Sequence, residues 1–314
     1  MISVTEKNRD IYDICLYLRV DQHKWSYLVD CGYAPGLQDA ECKNINALFI
    51  SHTHIDHFCG FDKVLRHQLG CGRTVVITGP AGIAHQVHHR LKSFTWNLVR
   101  KGAIRYEIRE ILSPGSYRRY TMAPPGWTLQ QGEVIESGFI FEQPEFNVAY
   151  AVLDHGTPSI AYLFRERDKT NITSIPYKQG PWIRALKQAY FAGNGEASIE
   201  VEGKQIKAQS LFHALAFTPG YACGIIMDHS INPGNETTIV EFMQGIDDLY
   251  IESYFLEADR ELAVRKNHST SVASATAAGR AHVKRLHLMH HSARYSSRDI
   301  RHLHAEGQTA FATH

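Results

Sequence analysis

Between residues 52 and 57 the chain reads His-Thr-His-Ile-Asp-His, one residue after the apolar run Ala47–Ile50. Four side chains able to bind a metal ion within six residues constrain the fold more than any other feature. His57–Gly70 then carries Phe58, Phe61, Val64, Leu65 and Leu69 at helical spacing, so the motif is expected on a loop between a short buried strand and a helix. On an extended loop the i, i+2 spacing aims His52 and His54 at one ion, and Asp56 and His57 can face a second. Imidazole with carboxylate suits zinc or a similar borderline cation; two such ions roughly 3.5–4 Å apart form a clamp suited to phosphoester chemistry.

One loop cannot complete two metal shells, so further ligands are expected at later strand ends. Ala149–Leu153 ends in Asp154-His155-Gly156, Gly224–Met227 in Asp228-His229, and Leu286–Met289 in His290-His291. A single strand-end His or Asp is more often a cap or a surface residue; three of them behind the first motif form a pattern. The trio His85, His88 and His89 shares one face of an expected helix over Ala81–Lys92 and reads as a solvated face.

Residues 11–20 and 24–30 read as a β-hairpin, and Thr74–Thr78 as another strand. From Ile104 to Phe164 the chain is strand-rich, with turns at Ser113-Pro114-Gly115 and Pro124-Pro125-Gly126. Asn171–Gln209 is polar and turn-rich, with Ile175-Pro176, Gly180-Pro181 and Gly193-Asn194-Gly195, and reads as a projecting arm. Strands at Tyr221–Met227, Leu249–Ser253 and Leu286–Met289 then alternate with helices over 236–244, 271–282 and near 297–306. Two halves that each combine strands with outer helices predict a four-layer αββα sandwich, an α/β (α+β) fold, in one domain over 1–314 with the arm at 171–209 inside it.

With 33 basic and 32 acidic side chains the formal charge is +1, which excludes a global field drawing in nucleic acid or membrane; a polyanion must be held locally. The six cysteines show no C-x-x-C pair and read as reduced core thiols. The N-terminus has neither a signal core nor a transit-peptide composition, and no apolar stretch approaches membrane-spanning length, so a cytoplasmic location without membrane contact is expected.

At these residues the chain resembles the metallo-β-lactamase superfamily and, within it, ribonuclease Z. SHTHIDHFCGF is similar to the family's His-rich motif, LDHGTPSIAYLF to the segment supplying the next histidine, and IIMDHS to the strand delivering a bridging aspartate. IESYF, NHSTSVASA and LMHHSARY resemble the C-terminal landmarks, in the family's order. The resemblance implies one metal on His52, His54 and His155, another on Asp56, His57 and His290, and Asp228 bridging. Alternation along the last strand agrees with His290 rather than His291. It further implies that His268 helps protonate a leaving group, with Glu252 orienting it, and that Ser292, Arg294 and Tyr295 lie on the phosphate side. Asp30 is expected to brace a metal ligand. Two departures stand out: the chain begins too late for the family's Gly-rich first strand, and 92–145 holds extra sequence. That segment, with Tyr117, Arg118, Arg119, Tyr120, Trp127 and Phe139, is placed to reshape the mouth of a pocket.

The expected chemistry is a dinuclear metal-dependent phosphodiesterase in which Asp56 positions an attacking water or accepts its proton. Zinc is the first expectation for the two cations, with manganese or iron open. By resemblance the substrate is a tRNA precursor cut at its 3′ side, gripped by an arm carrying Lys178, Arg184, Lys187, Lys204 and Lys207, in a homodimer. The main alternative is a hydrolase of a small molecule: a cyclic nucleotide or other phosphodiester, then a lactone or thioester. A non-catalytic binding protein is disfavoured by the full ligand set, and a redox di-iron protein by the lack of a flavin-binding domain.

Overall fold

A computed structural model describes residues 1–8, 12–21, 23–173 and 177–314; the start of the first expected strand at Ile11 and the turn signal Ile175-Pro176 lie outside the described residues. The chain divides into two compact units, Met1–Glu166 with Tyr221–His314, and Arg167–Gly220. The excursion expected over 171–209 falls within the second.

In the first unit β1 (Ile2–Glu6), β2 (Leu16–Val20), β3 (Ser26–Val29), β4 (Ile45–Phe49), β5 (Thr74–Gly79), β6 (Arg105–Ser113), β7 (Ser116–Met122) and β8 (Gln130–Glu136) lie side by side in chain order. The central strands β3 to β6 run parallel and both flanks antiparallel. Then β9 (Phe139–Glu142), β10 (Phe146–Asp154) and β11 (Pro158–Glu166) open a second sheet. The chain next passes through the second unit as β12 (Lys169–Ile172), β13 (Ser198–Val201), β14 (Lys204–Lys207) and β15 (Leu215–Thr218). It returns as β16 (Ala222–Ile226), β17 (Asp248–Glu252) and β18 (Arg285–Met289), giving the second sheet the order β18-β17-β16-β11-β10-β9.

Period-two alternation sorts the side chains of these strands into three cores. In β4, Ala47 and Phe49 face the other sheet while Leu48 faces outer helices; in β10, Val148 and Tyr150 point inward and Ala151 and Leu153 outward. Helices Phe61–Gln68 and Ile83–Lys92 cover the first sheet through Phe61, Val64, Leu65, Val87 and Leu91. Helices Pro233–Phe242, Ser271–Arg280 and Ser297–Phe311 cover the second through Ile239, Ala275, Ala278 and Leu303. The four-layer αββα order is therefore realised. Between the sheets Phe49 meets Phe164 and Tyr162 edge-on at 5.0 and 5.3 Å, the favoured geometry for aromatic pairs.

Residues 92–145 build β6 to β8 at the edge of the first sheet and β9 at the edge of the second. Trp127 is fully buried against Trp96 and Tyr106, Tyr117 lies in the intersheet core, and Tyr120 lies under the outer helices. These three aromatics hold layers together rather than line an opening.

The second unit is richer in regular structure than its turn signals suggest. Helix Trp182–Phe191 packs Trp182, Leu186 and Ala189 on Ile199, Val201, Leu211 and Leu215. Glu202 and Gly203, both at positive φ, close the β13–β14 hairpin in the two-residue geometry that matches strand twist. Among the described residues no helix is long and apolar enough to cross a membrane.

Candidate metal centre

The His-rich motif is positioned by backbone contacts to the end of the β2–β3 hairpin. Asp30 N–H donates to the Phe49 carbonyl (2.9 Å), Cys31 N–H to that of His57 (2.7 Å), Ile14 N–H to that of Asp56 (2.9 Å), and Gly60 N–H to that of Cys31 (2.7 Å). The approach is so close that a Cβ on Gly32 would sit 2.0 Å from the Asp56 carbonyl oxygen, and one on Gly60 2.2 Å from that of Gly32. The motif divides between a loop bearing His52 and His54 and a single helical turn, Ile55–Phe58, bearing Asp56 and His57. Helix Phe61–Gln68 follows separately.

His155 arrives on the turn after β10, Asp228 beyond the end of β16, and His290 just after β18. Asp228 meets His52 Nε2 at 3.7 Å and His155 Nε2 at 3.5 Å with its Oδ2. Its Oδ1 lies 3.3 Å from His57 Nε2 and 3.0 Å from His290 Nε2. His54 Nδ1 lies 3.0 Å from His52 Nε2, and Asp56 Oδ2 3.6 Å from His57 Nε2. Beside Asp228–Glu252–His268, two histidine-rich groups result, His52–His54–His155–Asp228 and Asp56–His57–His290; within each group the ligand atoms lie within 4.8 Å of one another. A carboxylate with two oxygens can serve both; an imidazole cannot.

Outer partners orient the rings. His57 Nδ1 donates to Asp30 Oδ2 (2.7 Å), His155 Nδ1 to the Asn267 carbonyl (2.6 Å), and His52 Nδ1 lies 3.0 Å from Ser51 Oγ, which itself donates to Asp30 (2.6 Å). Each leaves its Nε2 facing Asp228. Asp30 and His290 adopt positive φ, 57° and 54°, a strained backbone held where strands meet the centre.

Whether a metal fits is decided by what these atoms lack. Among the described residues His57 Nε2, Asp228 Oδ1 and both ring nitrogens of His290 are buried with no hydrogen-bond partner, a costly arrangement for four polar atoms. His57 Nε2 and His290 Nε2 converge on Asp228 Oδ1, and the nitrogen and oxygen donors suit divalent cations of borderline character. The groups fit two cations. Burial pushes His52 down to about 2, helped by the nearby His57, and burial also lowers His155. Against the same desolvation, His290 and His57 hold Asp228 well below the usual carboxylate range, and Asp228 with Asp30 holds His57 well above that of an imidazole.

Beside this cluster stands a second device. Glu252, fully buried, accepts from His268 Nδ1 (2.6 Å), Ser269 N–H (3.1 Å) and His229 N–H (2.7 Å). Although desolvation opposes ionisation, the charge of His268 and these donors hold Glu252 at about 2; despite its own burial, His268 is raised by Glu252. His268 lies 3.7 Å from Asp228 and stacks on Tyr254, centroids 3.9 Å apart and planes within 10°.

The other expected residues divide. Ser292 is buried and shares a hydrogen bond with Tyr254, whereas Arg294 is half-exposed, 4.0 Å from Asp259, and belongs to neither group. His229 braces Glu252, and His291 contacts Ser253 and His304; both stay outside the groups. Reading residue types missed Ser51, Asn267 and Tyr254. Asn267 had a local signal, since asparagine just past a helix end favours the left-handed cap it adopts here, φ 58°. Stacking of Tyr254 on His268 joins elements distant in the chain and had no local signal.

No family model matches the chain. A ribonuclease Z of Deinococcus radiodurans is 27% identical over 99% of this chain and 96% of its own length. Among solved structures, the metallo-β-lactamase fold protein YhfI of Bacillus subtilis superposes with a TM-score of 0.59 at 15% identity, covering 99% of this chain and 93% of that one. The short form of human tRNase Z gives 0.57 at 17% identity, with 93% of each chain covered.

Proposed function

For a chain of the metallo-β-lactamase fold that is ribonuclease Z-like along its length, we propose hydrolysis of phosphodiesters at a two-metal centre, with the 3′ side of tRNA precursors as substrate. The observation that carries the reading is Asp228, whose two oxygens divide between two histidine groups. His52, His54 and His155 would hold one cation and Asp56, His57 and His290 the other, with Asp228 placed to serve both. Bound cations supply a lowered pKa for the attacking water and offset negative charge on phosphoryl oxygens. Zinc is the proposed metal, supported by the imidazole and carboxylate set.

The chain's own groups do the rest. Asp56, a member of the second group with 36% of its side chain exposed, positions the attacking water or accepts its proton. Glu252 holds Nδ1 of His268, so Nε2 is left to protonate the departing oxygen. Lys178, Arg184 and Lys204 of the second unit make no ion pair among the described residues, which supports their use on RNA phosphates. Lys207 pairs with Glu196, and Lys187 donates to the Thr170 carbonyl. A homodimer and a cytoplasmic location belong to the same proposal; six free thiols support the latter.

The test offers metal-loaded protein a tRNA precursor with a 3′ trailer and, separately, an aryl phosphodiester. Cleavage of the precursor beside the discriminator base, weakened by salt and absent in Asp56→Asn, is expected. Hydrolysis of the aryl ester or a cyclic nucleotide with the precursor left intact would replace the tRNA reading with a small-molecule one. Failure to bind metal would remove both.

A further inference from the structure

Tyr254 lies just beyond Glu252, the last residue of β17, and its backbone is tied on both sides. Its carbonyl accepts from Ser292 N–H (3.1 Å), past the end of β18, while the next residue, Phe255, donates to the Ser269 carbonyl (3.1 Å) and accepts from Ser271 N–H (2.9 Å). The second pair of bonds sets this stretch beside the segment that carries His268. The ring of Tyr254 then lies flat on the imidazole, centroids 3.9 Å apart and planes within 10°. Its phenol end is anchored as well: the hydroxyl shares a hydrogen bond with Ser292, itself buried.

Glu252 fixes one atom of His268, Nδ1, and so decides which nitrogen is left free. It does not decide the plane of the ring, because the torsion that turns an imidazole on its Cβ has broad preferences. Nε2 moves with that plane. His155 and Phe255 meet the ring at steep angles, 65° and 75°, whereas a parallel neighbour in contact across the face opposes any tilt toward it. The Tyr254 ring also stands 5.1 Å from that of His290, a member of the second metal group, and the His268 and His290 rings are 6.2 Å apart. One side chain therefore bears on the acid and on a metal group at once. We propose that Tyr254 is the positioning residue of the leaving-group acid, holding the plane of His268, and with it Nε2, at a fixed setting relative to His290. The inference rests on the phosphodiesterase reading with His268 as acid, and not on the choice between RNA and a small ester. In that step the water oxygen bonds to phosphorus, and the bond from phosphorus to the leaving oxygen breaks with its electron pair on that oxygen. The proton on His268 Nε2 passes to it.

The experiment compares methyl 4-nitrophenyl phosphate, whose phenolate departs with little help, and methyl phenyl phosphate, whose more basic phenolate needs a proton. Both are offered to metal-loaded wild type, His268→Ala, Tyr254→Leu and Tyr254→Phe. Tyr254→Leu removes the flat face: kcat is expected to fall roughly 100-fold on the phenyl ester, the effect of misplacing a catalytic group by about 1 Å, and much less on the nitrophenyl ester, with KM and metal content retained. Tyr254→Phe restores the ring and is expected to recover most of the phenyl ester activity. Added to His268→Ala, Tyr254→Leu is expected to cost nothing further, because it acts through that residue. Tyr254→Met, whose flexible chain fills the space without a flat face, takes the place of Tyr254→Leu if the latter misfolds. Equal falls on the two esters, a Tyr254→Phe as impaired as Tyr254→Leu, an additive loss in the double variant, or lost metal would each overturn the inference. If His268→Ala still falls further on the phenyl ester, those results leave the phosphodiesterase reading standing. Hydrolysis of neither ester by the wild type ends that reading and this inference together.

Discussion

Asp228 faces His52 and His155 with one oxygen and His57 and His290 with the other, all within 3.7 Å, so altering one oxygen disturbs both groups. Asp228→Asn is expected to reduce bound metal below two per chain and to lower turnover by more than the roughly 100-fold typical of losing an outer partner. Wild-type metal content by elemental analysis would take Asp228 out of the centre. Asp30→Asn, which weakens the brace on His57 without touching the donors, should lower metal affinity by roughly 10–100-fold. For His268→Ala a fall in kcat of roughly 10²–10⁴-fold is expected, with two metals retained, and a smaller fall for Glu252→Gln. If His268→Ala lost metal instead, its role would be ligation. At this scale the residue types were legible and their partners were not. The His52–His57 spacing announces ligands, but nothing local says that Asn267 will receive His155 or that Tyr254 will stack on His268.

At the opposite end of the second sheet, side-chain contacts tie together the strands that deliver the centre. Asp248, at the start of β17, accepts hydrogen bonds from Arg285 and His287 of β18 and from Tyr221 beside β16. Against its burial, these donors hold Asp248 at about 2. A carboxylate depressed in the folded state contributes stability above its unfolded value near 4, and that contribution disappears as pH falls from about 4 toward 2. Asp248→Asn should therefore cost about 2 kcal/mol at pH 7 and almost nothing near pH 2, read from urea midpoints. An equal loss at both values would contradict the ionic account. Strands of strong alternation or continuous apolarity were readable from the chain, β4, β5, β10 and β16 among them. Polar β1, the short helix Asp39–Asn44 and helix Arg260–Lys266 were not, because their identity rests on neighbours rather than on periodicity. Helix Trp182–Phe191 does carry a helical apolar stripe, but it lies between turn signals that dominate a local reading.

For the whole molecule, the proposed choice of a tRNA precursor over a small ester would rest on the cations of the second unit, Arg167–Gly220. Reversing Lys178, Arg184 and Lys204 to Glu should raise KM for the precursor and leave aryl ester hydrolysis unchanged. The salt slope of RNA binding should shrink by about 0.7–0.9 for each phosphate that is no longer neutralised. An unchanged slope would show that this unit does not carry the RNA.

By itself the sequence determined the αββα layering and which residue types end the strands, because alternation and apolar runs are properties of consecutive residues. Tertiary structure decided how those ends meet. It placed one carboxylate between two histidine groups, buried Tyr117, Tyr120 and Trp127 of the 92–145 segment, and turned 167–220 into a unit with its own core. Each outcome depends on distances between residues far apart in the chain, set by sheet register and helix packing, and local chemistry does not encode them.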